Sequence, residues 1–208
     1  MNRKMDTPVF VAQFEPREAT EERITNRENE DLNAPEWNWC GVCCARMMVL
    51  GVRGDAPSMD EMYRKAFDEY GVFRMIDGEV VGSYHRELAR YLCDEFEFDA
   101  MPKRGLRPDD LVKIVREGGC FIASVSAKIR FLEEETPMKK VGHLVLIYDV
   151  VETSEGRWFV LHNSAGFASL GTQEAVHVPE QRFMDCFSGN GIVVFRGEDK
   201  GEDNSEQT

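Results

Sequence analysis

Three cysteines fall within five residues in Trp37-Asn38-Trp39-Cys40-Gly41-Val42-Cys43-Cys44, at the point where a polar acidic stretch gives way to a helical apolar pattern. Cys44, Met47, Met48, Leu50 and Val52 continue that pattern as one stripe with mostly three- and four-residue spacings, so the helix they form has a buried side. Cys40 therefore stands at a helix N-terminus, where free N–H groups and the positive end of the peptide dipoles favour a thiolate. This placement is expected to lower its pKa from the free value of roughly 8.5. The cluster is also open to two plainer readings, small core residues and metal ligands. Cys40-x-x-Cys43 is half of a zinc motif, but no second Cys-x-x-Cys or His-x-x-x-His follows, so no metal or other cofactor is expected.

A thiol nucleophile needs a base and a group that orients the base. His143 is the candidate base, opening the longest apolar strand pattern, Gly142 to Val150. Asn163, 20 residues later, ends the next strand pattern, Arg157 to His162. Antiparallel neighbours set the start of one strand beside the end of the next, and the asparagine oxygen would then accept from Nδ1–H, leaving Nε2 for the thiol. Three other histidines compete less well. His162 points to the opposite face from Asn163 and reads as packing, His177 has no acceptor after it, and His85 sits in a helix's first turn. A strand-start histidine and an Asn-Ser-Ala-Gly turn are also ordinary structural features.

The elements that must position these residues change character along the chain. Thr7 to Phe14 reads as a short strand ending near Gln13. Residues 15–36 form an acidic surface insertion with at most a turn or two of helix. After the Cys40 helix, Gly51 to Pro57 is a loop, and Ser58 with Glu61 makes a capping box for a second helix. Residues 71–82 look irregular, and Ser83 is placed to cap a third helix. A fourth runs from Pro108 to the Gly118-Gly119 stop. Phe96 to Ala100 suggests a short strand. From Cys120 the period becomes strand-like in five segments (120–125, 142–150, 157–162, 175–178 and 191–195), with a short helix from Pro179. A helical first half followed by an antiparallel second half predicts an α+β fold of two lobes with a cleft between them.

Composition limits the function classes. The 208 residues are 42% hydrophobic with 13 Phe, enough for one sizeable core, and a single domain over 1–196 is expected. The net charge of −13 disfavours nucleic acid and anionic membranes as partners. Residues 14–36 contribute −5 and 197–208 contribute −4; the latter segment has no apolar residue and reads as a disordered tail. With no span of about eighteen apolar residues and no leader pattern, the expected location is cytoplasmic. Cys93, Cys120 and Cys186 lie in apolar patterns and read as reduced core residues, while Cys43 and Cys44 invite a disulfide with Cys40 under oxidation.

Cys40-Gly41 opening an apolar helix, Gly142-His143-Leu144-Val145-Leu146-Ile147-Tyr148-Asp149, and Phe159-Val160-Leu161-His162-Asn163 together resemble the papain-like cysteine peptidases of the double-glycine, bacteriocin-leader-processing group and its stand-alone relatives. Gly82 to Leu88 and Leu106 to Val125 agree, and the likeness covers roughly residues 8–196. His143 follows Cys40 by 103 residues, shorter than the about 130–150 of papain-type enzymes and closer to the leader-peptidase group. The resemblance implies a papain-like two-lobe fold and a Cys40–His143–Asn163 triad acting on a peptide or protein substrate. It also implies an upstream glutamine that forms the oxyanion hole with the Cys40 N–H. Six residues before Cys40 stands Ala34, so Gln13 fills that place if 15–36 is an insertion, with Asn38 as the alternative donor. Asn163-Ser164 replaces the Asp-Pro of relatives. Three outcomes stay open: a peptidase, an acyltransferase with an amine or thiol acceptor, and a degenerate module that binds peptides without cutting them.

Overall fold

The computed structural model describes residues 4–31, 34–132 and 137–197. The acidic tail beyond Gly197, Leu32 and Asn33 of the insertion, and Thr136 of the loop before His143 lie outside the described residues.

The centre is a six-stranded antiparallel sheet in the order β3-β8-β4-β5-β6-β7. Its strands are β3 (Phe98–Lys103), β4 (Cys120–Ser126), β5 (Gly142–Thr153), β6 (Gly156–His162), β7 (Val176–Pro179) and β8 (Phe187–Arg196). Because strand side chains alternate between faces, β4 and β5 supply two separate cores. Cys120, Ile122, Leu144 and Leu146 face α2 (Cys40–Arg53), α3 (Met59–Asp68) and α4 (His85–Phe96). Phe121, Ala123, Val145 and Ile147 face α5 (Pro108–Arg116) and α6 (Glu180–Cys186). The mixed α+β class is as expected, but the helices are not confined to one lobe, since α5 and α6 cover the far side of the sheet. Every residue of β4 is buried, on both faces of the sheet, which explains why it reads as a nearly continuous apolar run.

Three local expectations are corrected. Residues 7–14 join no strand: their backbone bonds go to partners that share no common direction, Val9 N–H to Met47 O at 3.0 Å and Gln13 N–H to Ser164 O at 2.9 Å. The segment is instead a partly buried strap between α2 and the end of β6. Residues 71–82, read as irregular, contain the hairpin β1 (Phe73–Ile76) and β2 (Glu79–Gly82). Its two-residue loop is Asp77-Gly78 with both φ positive, at 52° and 85°, the pairing that matches hairpin twist. That dipeptide was the available signal. Ser83 does not cap α4; Tyr84 occupies the cap without a side-chain bond. The Ser58–Glu61 capping box, by contrast, forms in full.

The insertion carries the short α1 (Ala19–Thr25) and lies against the loop after β6, with Arg17 bonded to Gln173 at 2.6 Å and Ser169 to Glu21. Among the described residues no helix is long and apolar enough to cross a membrane.

Helix α2 runs through Gly51 to Arg53, where Gly54 at φ 80° ends it. A β-carbon at Gly51 would stand 2.7 Å from the carbonyl oxygen of Thr7, so glycine is what lets the strap approach the helix. Gly51→Ala should therefore lower the urea midpoint by an amount equivalent to about 1–3 kcal/mol, despite alanine's higher helix propensity. An unchanged or raised midpoint would contradict the close approach.

Candidate active site

The turn Pro35–Asn38 and Trp39 deliver the chain to Cys40, the first residue of α2. Cys40 is only 9% exposed. The backbone N–H groups of Leu144, Gly41 and Cys40 itself favour its thiolate. The first is informative for position, because Leu144 follows His143 directly: the start of α2 lies near the opening of β5. A side chain at Gly41 would collide with Ser83 and come within 3.1 Å of Leu144, so the absence of one permits this docking.

Burial pushes the Cys40 thiol up to about 11, and the three N–H donors only moderate the rise. The expected depression is therefore overturned. A helix N-terminus is worth a fraction of a kcal/mol to a few at best, whereas withdrawing a thiolate from water costs more. At neutral pH Cys40 is a thiol.

His143 and Asn163 meet as their strands require. The β5–β6 register sets Leu146 opposite His162, which brings Asn163 to the first residues of β5. The His143 Nε2 and Asn163 Oδ1 lie 2.7 Å apart, with His143 6% and Asn163 1% exposed. An amide oxygen only accepts, so Nε2 carries the proton and Nδ1 keeps the lone pair. This reverses the expected roles of the two nitrogens: Nε2 is held by asparagine and Nδ1 is left to act as base. Asn163 is itself fixed. Its Oδ1 also accepts from Ala165 N–H at 3.2 Å, an Asx turn, and its backbone N–H donates to Gln173 O at 2.7 Å. Burial, then the charge of Arg130, lowers the His143 pKa to about 4, and the Asn163 bond opposes them. Arg130 is itself buried, stacked at 5.2 Å from the Phe167 ring centroid.

The Gln13 amide is hydrogen-bonded within the protein. Its Nε2 donates to the carbonyls of Glu36 at 2.9 Å and Trp37 at 3.3 Å, and its Oε1 accepts from Ser164 at 3.4 Å. Its amide thus ties the strap to the turn before Cys40 and to the residue after Asn163. Asn38 ends that same turn and is partly exposed. Cys43 faces Ala12 O at 3.8 Å and the Ser164 hydroxyl, and all six cysteines carry free thiols. His162 lies on the other sheet face, as expected. It accepts from Ala175 N–H on Nδ1 at 3.1 Å and donates from Nε2 to Pro8 O at 3.0 Å. His177 is exposed on β7 and His85 begins α4; neither joins the cluster. Sequence reasoning missed Ser164 and Arg130. Ser164 adjoins Asn163 and was within reach, but nothing in the sequence distinguishes Arg130 from a surface arginine.

Among the described residues no group of three or more His, Cys, Asp and Glu side chains could hold a metal ion. No protein-family model and no curated protein matches the chain. A crystal structure of a candidate C39-like peptidase from Bacillus anthracis is similar in fold, with a TM-score of 0.53 at 16% identity, covering 95% of this chain and 99% of that one. The chain therefore has the fold of that structure.

His143 makes stability depend on pH with a definite sign. Its folded pKa of about 4 lies below the ordinary 6.5, so in that interval the unfolded chain binds more protons. The contribution is complete above pH 6.5 and is lost as pH falls toward 4. Urea unfolding should show the midpoint dropping over this window. His143→Gln should flatten the drop, leaving a residue of the same sign from His162, whose pKa is also lowered by burial.

Proposed function

We propose that the chain is a cysteine peptidase of C39-like type, cleaving a peptide or related amide bond with Cys40 as nucleophile, His143 as general base and acid, and Asn163 as the group that orients the histidine. The observation that carries this reading is the His143–Asn163 bond of 2.7 Å, made from the ring nitrogen that leaves Nδ1 unprotonated, with the start of α2 packed against Leu144, the residue next to His143. A histidine used only for packing has no need of one basic nitrogen kept free; His162, whose two nitrogens are both bonded, illustrates that arrangement. The fold shared with the Bacillus anthracis structure supports the same reading.

The neutral states of both groups define the chemistry. With the thiol pushed up to about 11 and the imidazole down to about 4, the resting site holds no thiolate–imidazolium pair. Proton transfer from sulfur to Nδ1 accompanies attack on the carbonyl carbon. The Cys40 and Gly41 N–H groups stand at the positive end of α2 for the developing oxyanion. His143 then gives its proton to the departing amine, and water activated by the same nitrogen hydrolyses the thioester. Arg130 discourages a lasting imidazolium, which speeds return of the proton.

A binding module without turnover is the second reading, favoured by the burial of Cys40 and by the commitment of the Gln13 amide to Glu36 and Trp37. Intact mass after incubation with a peptide-like electrophile separates the two. Under the peptidase reading one label is added, Cys40→Ala adds none, and His143→Ala labels slower by about a hundredfold or more. Scattered or absent labelling would favour the binding module.

A pH profile tests the neutral resting state. Iodoacetamide reacts with thiolate, so the alkylation rate of Cys40 should climb about tenfold per pH unit through neutrality toward pH 11. A plateau beginning near pH 5 would instead indicate a resting ion pair.

A further inference from the structure

Arg130 is a cation that the fold packs away without giving it an anion. Only 8% of the residue is exposed, and a charge so placed is ordinarily paired. Its Nε donates to Ala127 O at 2.9 Å, but no carboxylate of the described residues pairs with it. Its two terminal nitrogens have no partner among the described residues, and neither is shielded from solvent, so the part left open is the charged end. The guanidinium is nonetheless held firmly. It stacks 5.2 Å from the Phe167 ring centroid, and the short helical turn that carries it, Ala127–Arg130, is clamped by Arg182 of α6, which donates to Lys128 O at 2.8 Å and to Phe131 O at 2.6 Å.

The sheet sets Arg130 beside the candidate site. The β4–β5 register places Val125 opposite His143 and Ser126 opposite Gly142, and the turn bearing Arg130 continues directly from β4. Phe167, the ring it stacks on, lies four residues after Asn163. A second cation comes from the insertion. Arg27 is exposed, with its Cζ 5.2 Å from the Trp37 ring centroid, and the carboxylates of Glu30 and Glu36 are taken by Arg23 instead. Trp37 O accepts from Gln13, whose Oε1 accepts from Ser164, so the rings under both arginines are tied to the one turn that follows Asn163. The two charges oppose each other: burial, then the charge of Arg27, pulls the Arg130 pKa down to about 10. In a chain of net charge −13, two such cations without a carboxylate between them suit an anion that arrives from outside.

We propose that Arg130, assisted by Arg27, binds a carboxylate of the substrate, on the segment that departs as the amine. This rests on the peptidase reading, in which His143 must hand its proton to the departing amine, so that segment passes the strand end where Arg130 stands. The carboxylate is that of an acidic side chain or of the peptide's own C-terminus. Its binding has a chemical consequence: the positive charge that disfavours an imidazolium at His143 is neutralised when an acidic substrate is seated, so such a substrate strengthens the base that acts on it.

The test forms the acetyl thioester of Cys40 with 4-nitrophenyl acetate and measures its capture by amines, each of which displaces the sulfur as a thiol and leaves as its acetyl amide. The amines enter where the departing amine leaves. They are used in two pairs, glutamic acid α-amide against glutamine amide and glycylglycine against glycylglycinamide, whose members differ only in carboxylate against carboxamide. The native chain should favour the carboxylate by about tenfold or more in at least one pair, the worth of a hydrogen bond to a charged group. Preference in the first pair assigns a side-chain carboxylate, and in the second a chain terminus. Arg130→Gln should bring the ratio close to one, Arg130→Lys should keep part of it, and Arg27→Gln should reduce it about threefold. A purely structural arginine would slow both members alike and leave the ratio standing. Native ratios near one in both pairs overturn the inference, as does a ratio that survives Arg130→Gln. Should neither Arg130 variant fold, an unchanged ratio in Arg27→Gln overturns it. A native chain that the ester does not acetylate at Cys40 overturns the peptidase reading and the inference with it, whereas acetylation followed by indifferent capture overturns the inference alone.

Discussion

The docking of the first turn of α2 onto the opening of β5 is the constraint from which the rest of the site follows. It joins a helix from the first half of the chain to a strand from the second, and it depends on Gly41, which offers no side chain to hold the helix away from Leu144. Once that contact exists, the histidine next to Leu144 is brought to the thiol's end of the strand without any special loop. The β5–β6 register then delivers Asn163 to the same end. Two hydrogen-bonded strands pair residues 143 and 163, and the helix that begins at Cys40 packs against the same strand.

Desolvation decides the electrostatics of this locus. The helix N-terminus, the Leu144 N–H and the Asn163 oxygen all favour charged forms, yet burial overrides them on both the sulfur and the ring. The same burial makes the hydrogen-bond geometry stringent. In a dry site a misdirected Asn163 would leave an unmet amide oxygen and an unmet ring N–H, each costly, so the Asx turn at Ala165 and the backbone bond to Gln173 secure its orientation twice over.

The sequence disclosed the fold class, most helices and all five later strands because their apolar periods are strong, as in α5 and β5. It pointed to the pairing of His143 and Asn163 because each occupies a strand terminus, where patterns change. What it could not disclose was distance and environment. That Gln13 bonds Glu36 and Trp37 depends on how a strap of irregular backbone folds over α2, and no periodic signal describes such a path. The thiol's raised pKa depends on everything packed around it, whereas the helix dipole that suggested the opposite is a local property. The Asp77-Gly78 hairpin was legible by its turn chemistry and was obscured by the polarity of its surroundings. Ser83 was misassigned because α4 starts one residue later than its serine suggested, with Tyr84 at the cap.

The sheet order has a bearing on synthesis. Strand β8, Phe187–Arg196, is the last element among the described residues and sits between β3 and β4. Until it leaves the ribosome, β3 has no neighbour in the sheet, β4 exposes one edge, and the core beneath α2 and α4 lacks Ile192 and Val194. A nascent chain that has already presented Cys40, His143 and Asn163 is therefore still without the strand that makes its central layer continuous. Completion of the central sheet awaits translation of residue 196, so a truncated product carries Cys40, His143 and Asn163 without the scaffold that holds them in place.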